Sequence, residues 1–134
     1  MTMKKIAFAA ILAIIVCTLF YSCKKSKPDS EPILTVETTP ANKSNNLSIL
    51  GPDFPLKVEI SSVMPASGVK IEVSAMPEGS TVTFFTAAGN STAPQNNYTI
   101  TNTPNGATCV VNITVTSLST PTNVWKGTYR YSKK

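Results

Sequence analysis

Residues 56–75 read LKVEISSVMPASGVKIEVSA, and their alternation decides the fold. In the first half, Leu56, Val58 and Ile60 alternate with Lys57, Glu59 and Ser61. In the second, Val69, Ile71, Val73 and Ala75 alternate with Lys70, Glu72 and Ser74. Successive side chains of an extended strand point to opposite faces, so this period of two marks strands with one buried and one wet face. Antiparallel sheets carry that pattern. Between the runs, Met64-Pro65-Ala66-Ser67-Gly68 supplies a proline-fixed φ and a glycine able to take positive φ, which is turn chemistry.

The same pattern continues on both sides. Strands are predicted at 33–37, 47–50, 56–62, 69–75, 81–86, 98–103, 108–117 and 124–131. In the seventh, Cys109, Val111, Ile113 and Val115 form the inner row, with Asn112, Thr114 and Thr116 facing away. The stretch 87–97 is small and polar and reads as a loop. No segment after residue 22 sustains a 3.6-residue period, and ten prolines punctuate the chain, so no helix is expected there.

Seven or eight such strands in ~100 residues imply an all-β antiparallel sandwich of two sheets. Over 33–131 the pattern resembles the immunoglobulin-like architecture. The inter-sheet cysteine pair of antibody domains is absent, since only Cys109 is available, and Trp125 sits in the last strand. Fibronectin-type and other bacterial immunoglobulin-like domains dispense with both features.

The N-terminus follows other rules. After Lys4-Lys5 comes an apolar run of fifteen residues, 6–20, and then Tyr21-Ser22-Cys23. As a helix the run reaches about 22 Å, short of the roughly 30 Å of a hydrocarbon core. A basic start, a short apolar run and a small residue before a cysteine fit a cleaved secretory signal. Ser22-Cys23 resembles the lipobox of bacterial lipoproteins, although Phe20 and Tyr21 are bulkier than the residues usual there. The resemblance implies cleavage after Ser22, acylation of Cys23 (palmitate among the chains) and a cell-envelope location. Lys24, in place of aspartate after the cysteine, points to the outer membrane. The expected organisation is a signal helix at 1–22, a flexible tether at 23–32 (CKKSKPDSEP) and a sandwich at 33–134.

Cleavage would leave 112 residues, enough for one domain, with 10 basic and 7 acidic side chains and a net charge of +3. The excess sits in the terminal lysines Lys24, Lys25, Lys27, Lys133 and Lys134, and no basic stripe interleaves with aromatics, so nucleic acid is not an expected partner. Lys24 and Lys25 would lie beside lipid headgroups.

Candidate chemistry is sparse. The chain has no histidine, which removes the usual general base and the commonest transition-metal ligand. With Cys17 lost and Cys23 acylated, Cys109 stands alone in an apolar strand and reads as a small buried hydrophobe. Glu59 and Glu72 alternate with lysines on outward faces; if those two strands paired, Glu59 would oppose Lys70 and Glu72 would oppose Lys57. No acidic calcium loop occurs, and the Asn-x-Thr sequons at Asn90, Asn97 and Asn112 read as products of a polar surface. No catalytic set, metal or cofactor is therefore expected.

The last strand is the main candidate. Trp125, Tyr129 and Tyr131 share one parity with Gly127, while Lys126, Thr128 and Arg130 share the other. With the polar row in water, the aromatics pack inward, Tyr131 being partly exposed near the chain end. Exposed instead, they would form a platform for sugar rings, joined by Tyr98, Phe84 or Phe85. The expected function is a membrane-anchored, non-enzymatic binding module held by acylated Cys23 and contacting an envelope protein. The alternative is a glycan-binding accessory lipoprotein of a polysaccharide uptake or adhesion system.

Overall fold

A computed structural model describes residues 30–45 and 47–134; the expected signal, Cys23 and most of the expected tether lie outside the described residues. Eight strands follow in order: β1 (Val36–Thr39), β2 (Leu47–Ile49), β3 (Phe54–Ile60), β4 (Val69–Pro77), β5 (Phe85–Ser91), β6 (Gln95–Ile100), β7 (Thr108–Ser117) and β8 (Val124–Lys133). No helix occurs among the described residues, hence none long and apolar enough to cross a membrane. Two sheets form, β1-β3-β6 and β2-β8-β7-β4-β5, and their inner faces share one core in a sandwich-like arrangement.

The inner faces are those the alternation marks. Leu56, Val58 and Ile60 on β3 face Val69, Ile71, Val73 and Ala75 on β4, and Cys109, Val111, Ile113 and Val115 on β7 complete the layer, all buried. Each fully buried Val, Leu or Ile contributes about 1.5–3 kcal/mol against exposure, so Ile71→Ala would cost about 2–5 kcal/mol. Gly68, φ +82°, ends the β3–β4 turn where only glycine fits: a Cβ there would lie 2.5 Å from the Ser91 carbonyl oxygen.

Several elements depart from the sequence pattern. The stretch 87–97 is not a loop: β5 and β6 occupy most of it, and only 92–94 connects them. β5 is an edge strand bonded to β4 alone, from Val69↔Ser91 to Ala75↔Phe85, and its mostly exposed side chains form no apolar row. Its order comes from backbone hydrogen bonds to a neighbour, which hydrophobic patterning does not register. β6 likewise begins at Gln95 because it pairs with β3, from Glu59↔Gln95 to Phe54↔Ile100. Residues 33–35 precede β1, and Leu34 is held by its N–H donating to Asn123 Oδ1 at 3.0 Å.

The sheets are not wholly antiparallel. After β1 the chain crosses to the other sheet, where Lys43 N–H donates to the Thr128 carbonyl at 2.6 Å and Arg130 N–H to the Ser44 carbonyl at 2.9 Å. It then continues as β2, parallel to β8 with Leu47↔Tyr131. The supposed β3–β4 charge pairs do not form, because those strands lie in different sheets. Each lysine instead reaches two residues along its own strand, Lys57 to Glu59 and Lys70 to Glu72, both at 2.8 Å.

Strand directions place the connections at two poles. One pole gathers 31–35, the β3–β4 turn, the β5–β6 turn and the β7–β8 turn. The other gathers the β2–β3, β4–β5 and β6–β7 connections and the end of β8.

Candidate functional site

β8 turns its odd-numbered residues inward, and this disposes of most of the aromatic row as a ligand platform. Tyr129 and Tyr131 are 2% and 0% exposed. The expected partial exposure of Tyr131 is thus corrected: β2 pairs beside it, Phe54 packs at a ring distance of 4.6 Å, and Thr103 Oγ1 shares a 2.6 Å hydrogen bond with its hydroxyl. Burial pushes the Tyr131 phenol up to about 12 against the opposing pull of the Thr103 bond, and pushes Tyr129 up further still. Trp125 is half-buried against the core, its ring lying across Gly127, where a Cβ would come within 2.8–2.9 Å of Cζ3 and Cζ2.

The other aromatics are scattered. Phe84 and Phe85 are partly buried at the start of β5, at the pole opposite Trp125, and Tyr98 is partly buried in the other sheet. No common plane joins them. Cys109 is fully buried, and that burial raises its thiol pKa, so it fills space as a small hydrophobe. Among the described residues no group of three or more Cys, Asp or Glu side chains gathers to hold a metal.

Two concavities are large enough to bear on a ligand. The outer face of the five-stranded sheet carries a shallow trough of about 390 Å³. Register builds it: Ser74 lies opposite both Thr86 and Asn112, and Glu72 opposite both Ala88 and Thr114. Short hydroxyl and amide side chains in one row leave a hollow beside the longer Lys70–Glu72 pair. The outward parity of Ser74, Asn112 and Thr114 was visible in the alternation; the approach of Thr86 needed the β4–β5 register.

The second cavity, about 420 Å³, is mainly apolar. It brings Thr39 of β1 and Pro40 just after it together with Ile49 of β2, residues 55–57 of β3 and residues 97–99 of β6. Pro40, Ile49, Pro55, Leu56 and Tyr98 are the apolar and aromatic residues of its lining, and Lys57, Asn97 and Thr99 are among the polar ones. Burial raises the Tyr98 phenol pKa, keeping it a neutral hydrogen-bonding group. A concave apolar surface with a few polar groups is the usual form of a binding site for a small or extended ligand. Nothing in the local sequence singles out these residues, since they come from four strands.

A third cluster serves position. Asn123 Nδ2 donates to Glu31 Oε1 at 2.7 Å and to the Pro32 carbonyl at 2.9 Å, while Thr120 Oγ1 donates to Glu31 Oε2 at 3.3 Å. The Ser117 hydroxyl above all holds the Glu31 carboxyl below its ordinary range; desolvation opposes it, and Asn123 and Thr120 lower it further. This clasp fixes where the chain enters the sandwich.

No protein-family model and no curated protein sequence matches this chain.

Proposed function

We propose that this chain is a lipid-anchored, non-enzymatic binding module of the bacterial cell envelope, attached through acylated Cys23 and built on an immunoglobulin-like domain. The observation that carries the binding reading is the apolar cavity around Tyr98, which lies in the half of the sandwich remote from the clasped chain entry at Glu31. An anchor at one end and a ligand-sized concavity toward the other is the arrangement a presenting module needs. Anchoring rests on the lipobox-like Ser22-Cys23 after a short apolar run.

What supports the immunoglobulin-like type is strand order. In β1-β3-β6 against β2-β8-β7-β4-β5, the first strand is split between sheets and its second part runs parallel to the last strand. This follows the A-B-E and A′-G-F-C-C′ order of variable-type domains, without their remaining strands.

The envelope ligand has two forms in this reading. A protein segment would lay apolar side chains on Pro55, Ile49 and Tyr98. A glycan is the second form, favoured by a cavity lining that includes the aromatic residue Tyr98 together with the amide and ammonium residues Asn97 and Lys57. Stacking on Tyr129 or Tyr131 forms no part of it, since both are buried.

The test is cross-linked purification of the tagged full chain from cells, with Cys23→Ala and Tyr98→Ala in parallel, reading acyl label, co-purified protein and co-purified sugar. Label on wild type and Tyr98→Ala but not Cys23→Ala, with a ligand lost in Tyr98→Ala, is the expected result. An unlabelled wild type refutes the anchor. An identical set of ligands with and without Tyr98 refutes the cavity.

A further inference from the structure

The pole where the chain enters the sandwich differs in chemistry from the rest of the surface. Its segments are 31–35, 61–68, 92–94 and 118–123, and among all of them Glu31 is the one charged residue. That carboxylate is already engaged by Asn123, Thr120 and Ser117. The opposite pole carries Asp53, Glu78, Lys133 and Lys134. Of the six large apolar side chains most exposed among the described residues, four belong to the entry pole or its rim: Ile33, Val63, Leu118 and Val124, at 82%, 71%, 38% and 41% exposed.

Backbone and side-chain bonds hold these segments together. Leu118 N–H donates to the Gly68 carbonyl at 3.0 Å, Ser67 N–H to Ser119 Oγ at 2.9 Å and Ser62 N–H to the Thr35 carbonyl at 3.3 Å. The four side chains therefore ride on one braced end of the sandwich. An aliphatic surface of this kind, without unpaired charge, can leave water without desolvating an ion. Exposed apolar patches rimmed by polar residues mark contacts with a membrane or a partner.

Chain length selects between those two. Only eight residues run from Cys23 to Ser30, and however arranged they reach no further than about 28 Å. The ten-residue β7 alone is about 34 Å long. If Cys23 is acylated, the entry pole is thus held within one domain length of the bilayer. Lys24, Lys25 and Lys27 in the same eight residues add attraction to anionic headgroups.

We infer that this pole docks on the lipid surface itself, with Ile33, Val63, Leu118 and Val124 entering the headgroup–acyl boundary, so that the Tyr98 half of the sandwich projects away from the membrane. The inference rests on the lipid-anchor reading and adds to it a defined orientation. Attachment at Cys23 alone specifies no orientation; the docked pole supplies one.

The test uses the full chain processed in cells and reconstituted into phosphatidylethanolamine–phosphatidylglycerol vesicles containing a bromolipid quencher. Single cysteines at exposed positions of the two poles, Thr122→Cys and Thr81→Cys, carry an environment-sensitive dye; buried Cys109 stays unlabelled in the folded protein. The dye at 122 is expected to blue-shift and be quenched by the bromolipid, while the dye at 81 is not. Adding Ile33→Ser and Val63→Ser is expected to abolish quenching at 122 with the protein still floating with the vesicles. Equal signals at both positions in floating protein would overturn the docking and leave the anchor standing. Protein that neither floats nor carries acyl mass on Cys23 would overturn both. A position 122 shielded in cells but exposed on vesicles would overturn lipid as the occupant in favour of a protein.

Discussion

Tyr131→Phe removes one oxygen from the core and leaves the ring contacts in place, including the 4.6 Å approach to Phe54 and the 6.1 Å approach to Tyr129. The lost oxygen is half of a 2.6 Å hydrogen bond whose other half, Thr103 Oγ1, belongs to a residue only 5% exposed. Losing the bond and stranding a buried hydroxyl costs about 1–3 kcal/mol. Thr103→Val, which keeps the shape and strands the phenol instead, costs a similar amount. The double variant leaves neither group unpaired, so it should be no less stable than either single variant, with a coupling of about 1–2 kcal/mol. The assay is equilibrium urea unfolding of residues 23–134 carrying Cys23→Ser, followed by the fluorescence of Trp125, the only tryptophan. At an m-value of about 1–2 kcal/mol/M, each single variant should lower the midpoint by roughly 1 M. Additive losses in the double variant would mean that the hydroxyls stabilise the fold separately, and the assigned link between β8 and the β6–β7 connection would be refuted.

Four further outcomes follow from the other contacts of the sandwich. Gly127→Ala puts a methyl group into the Trp125 ring; overpacking should cost about 1–3 kcal/mol, and Trp125 emission should red-shift as the ring is displaced. Asn123→Ala removes the group that binds Glu31, Pro32 and Leu34, and should cost about 1 kcal/mol with faster hydrogen exchange at the Leu34 amide. Because the Glu31 carboxyl is held below its ordinary range, the stabilisation it provides is complete above that range and is lost as pH falls through the lowered value; the Leu34 amide should lose protection on acidification in wild type but not in Glu31→Gln. Cys109, fully buried with its thiol pKa raised, should resist maleimide in native buffer and react at full rate in denaturant; rapid native labelling would contradict its place in the core.

The core of the site region was legible wherever the information was local. The parity of Trp125, Tyr129 and Tyr131 was readable because Lys126, Thr128 and Arg130 hold the opposite face. The depth of Tyr131 was not, because it depends on β2, which joins from more than eighty residues away and runs parallel beside it. The cavity around Tyr98 was invisible for the same reason: Pro40, Ile49, Pro55 and Tyr98 belong to separate segments with no common spacing.

By itself the sequence determined the all-β class, the inner faces of β3, β4, β7 and β8, the inward place of Cys109 and the resemblance of Ser22-Cys23 to a lipobox. Each depends on side-chain alternation or on a short contiguous motif, both properties of neighbouring residues. Tertiary structure alone decided which strands share a sheet, that 87–91 is strand and not loop, where the concavities open and which pole receives the chain. Edge strands and poles are made by backbone hydrogen bonds between distant segments, and those bonds connect groups that every residue carries, so they leave little trace in residue type.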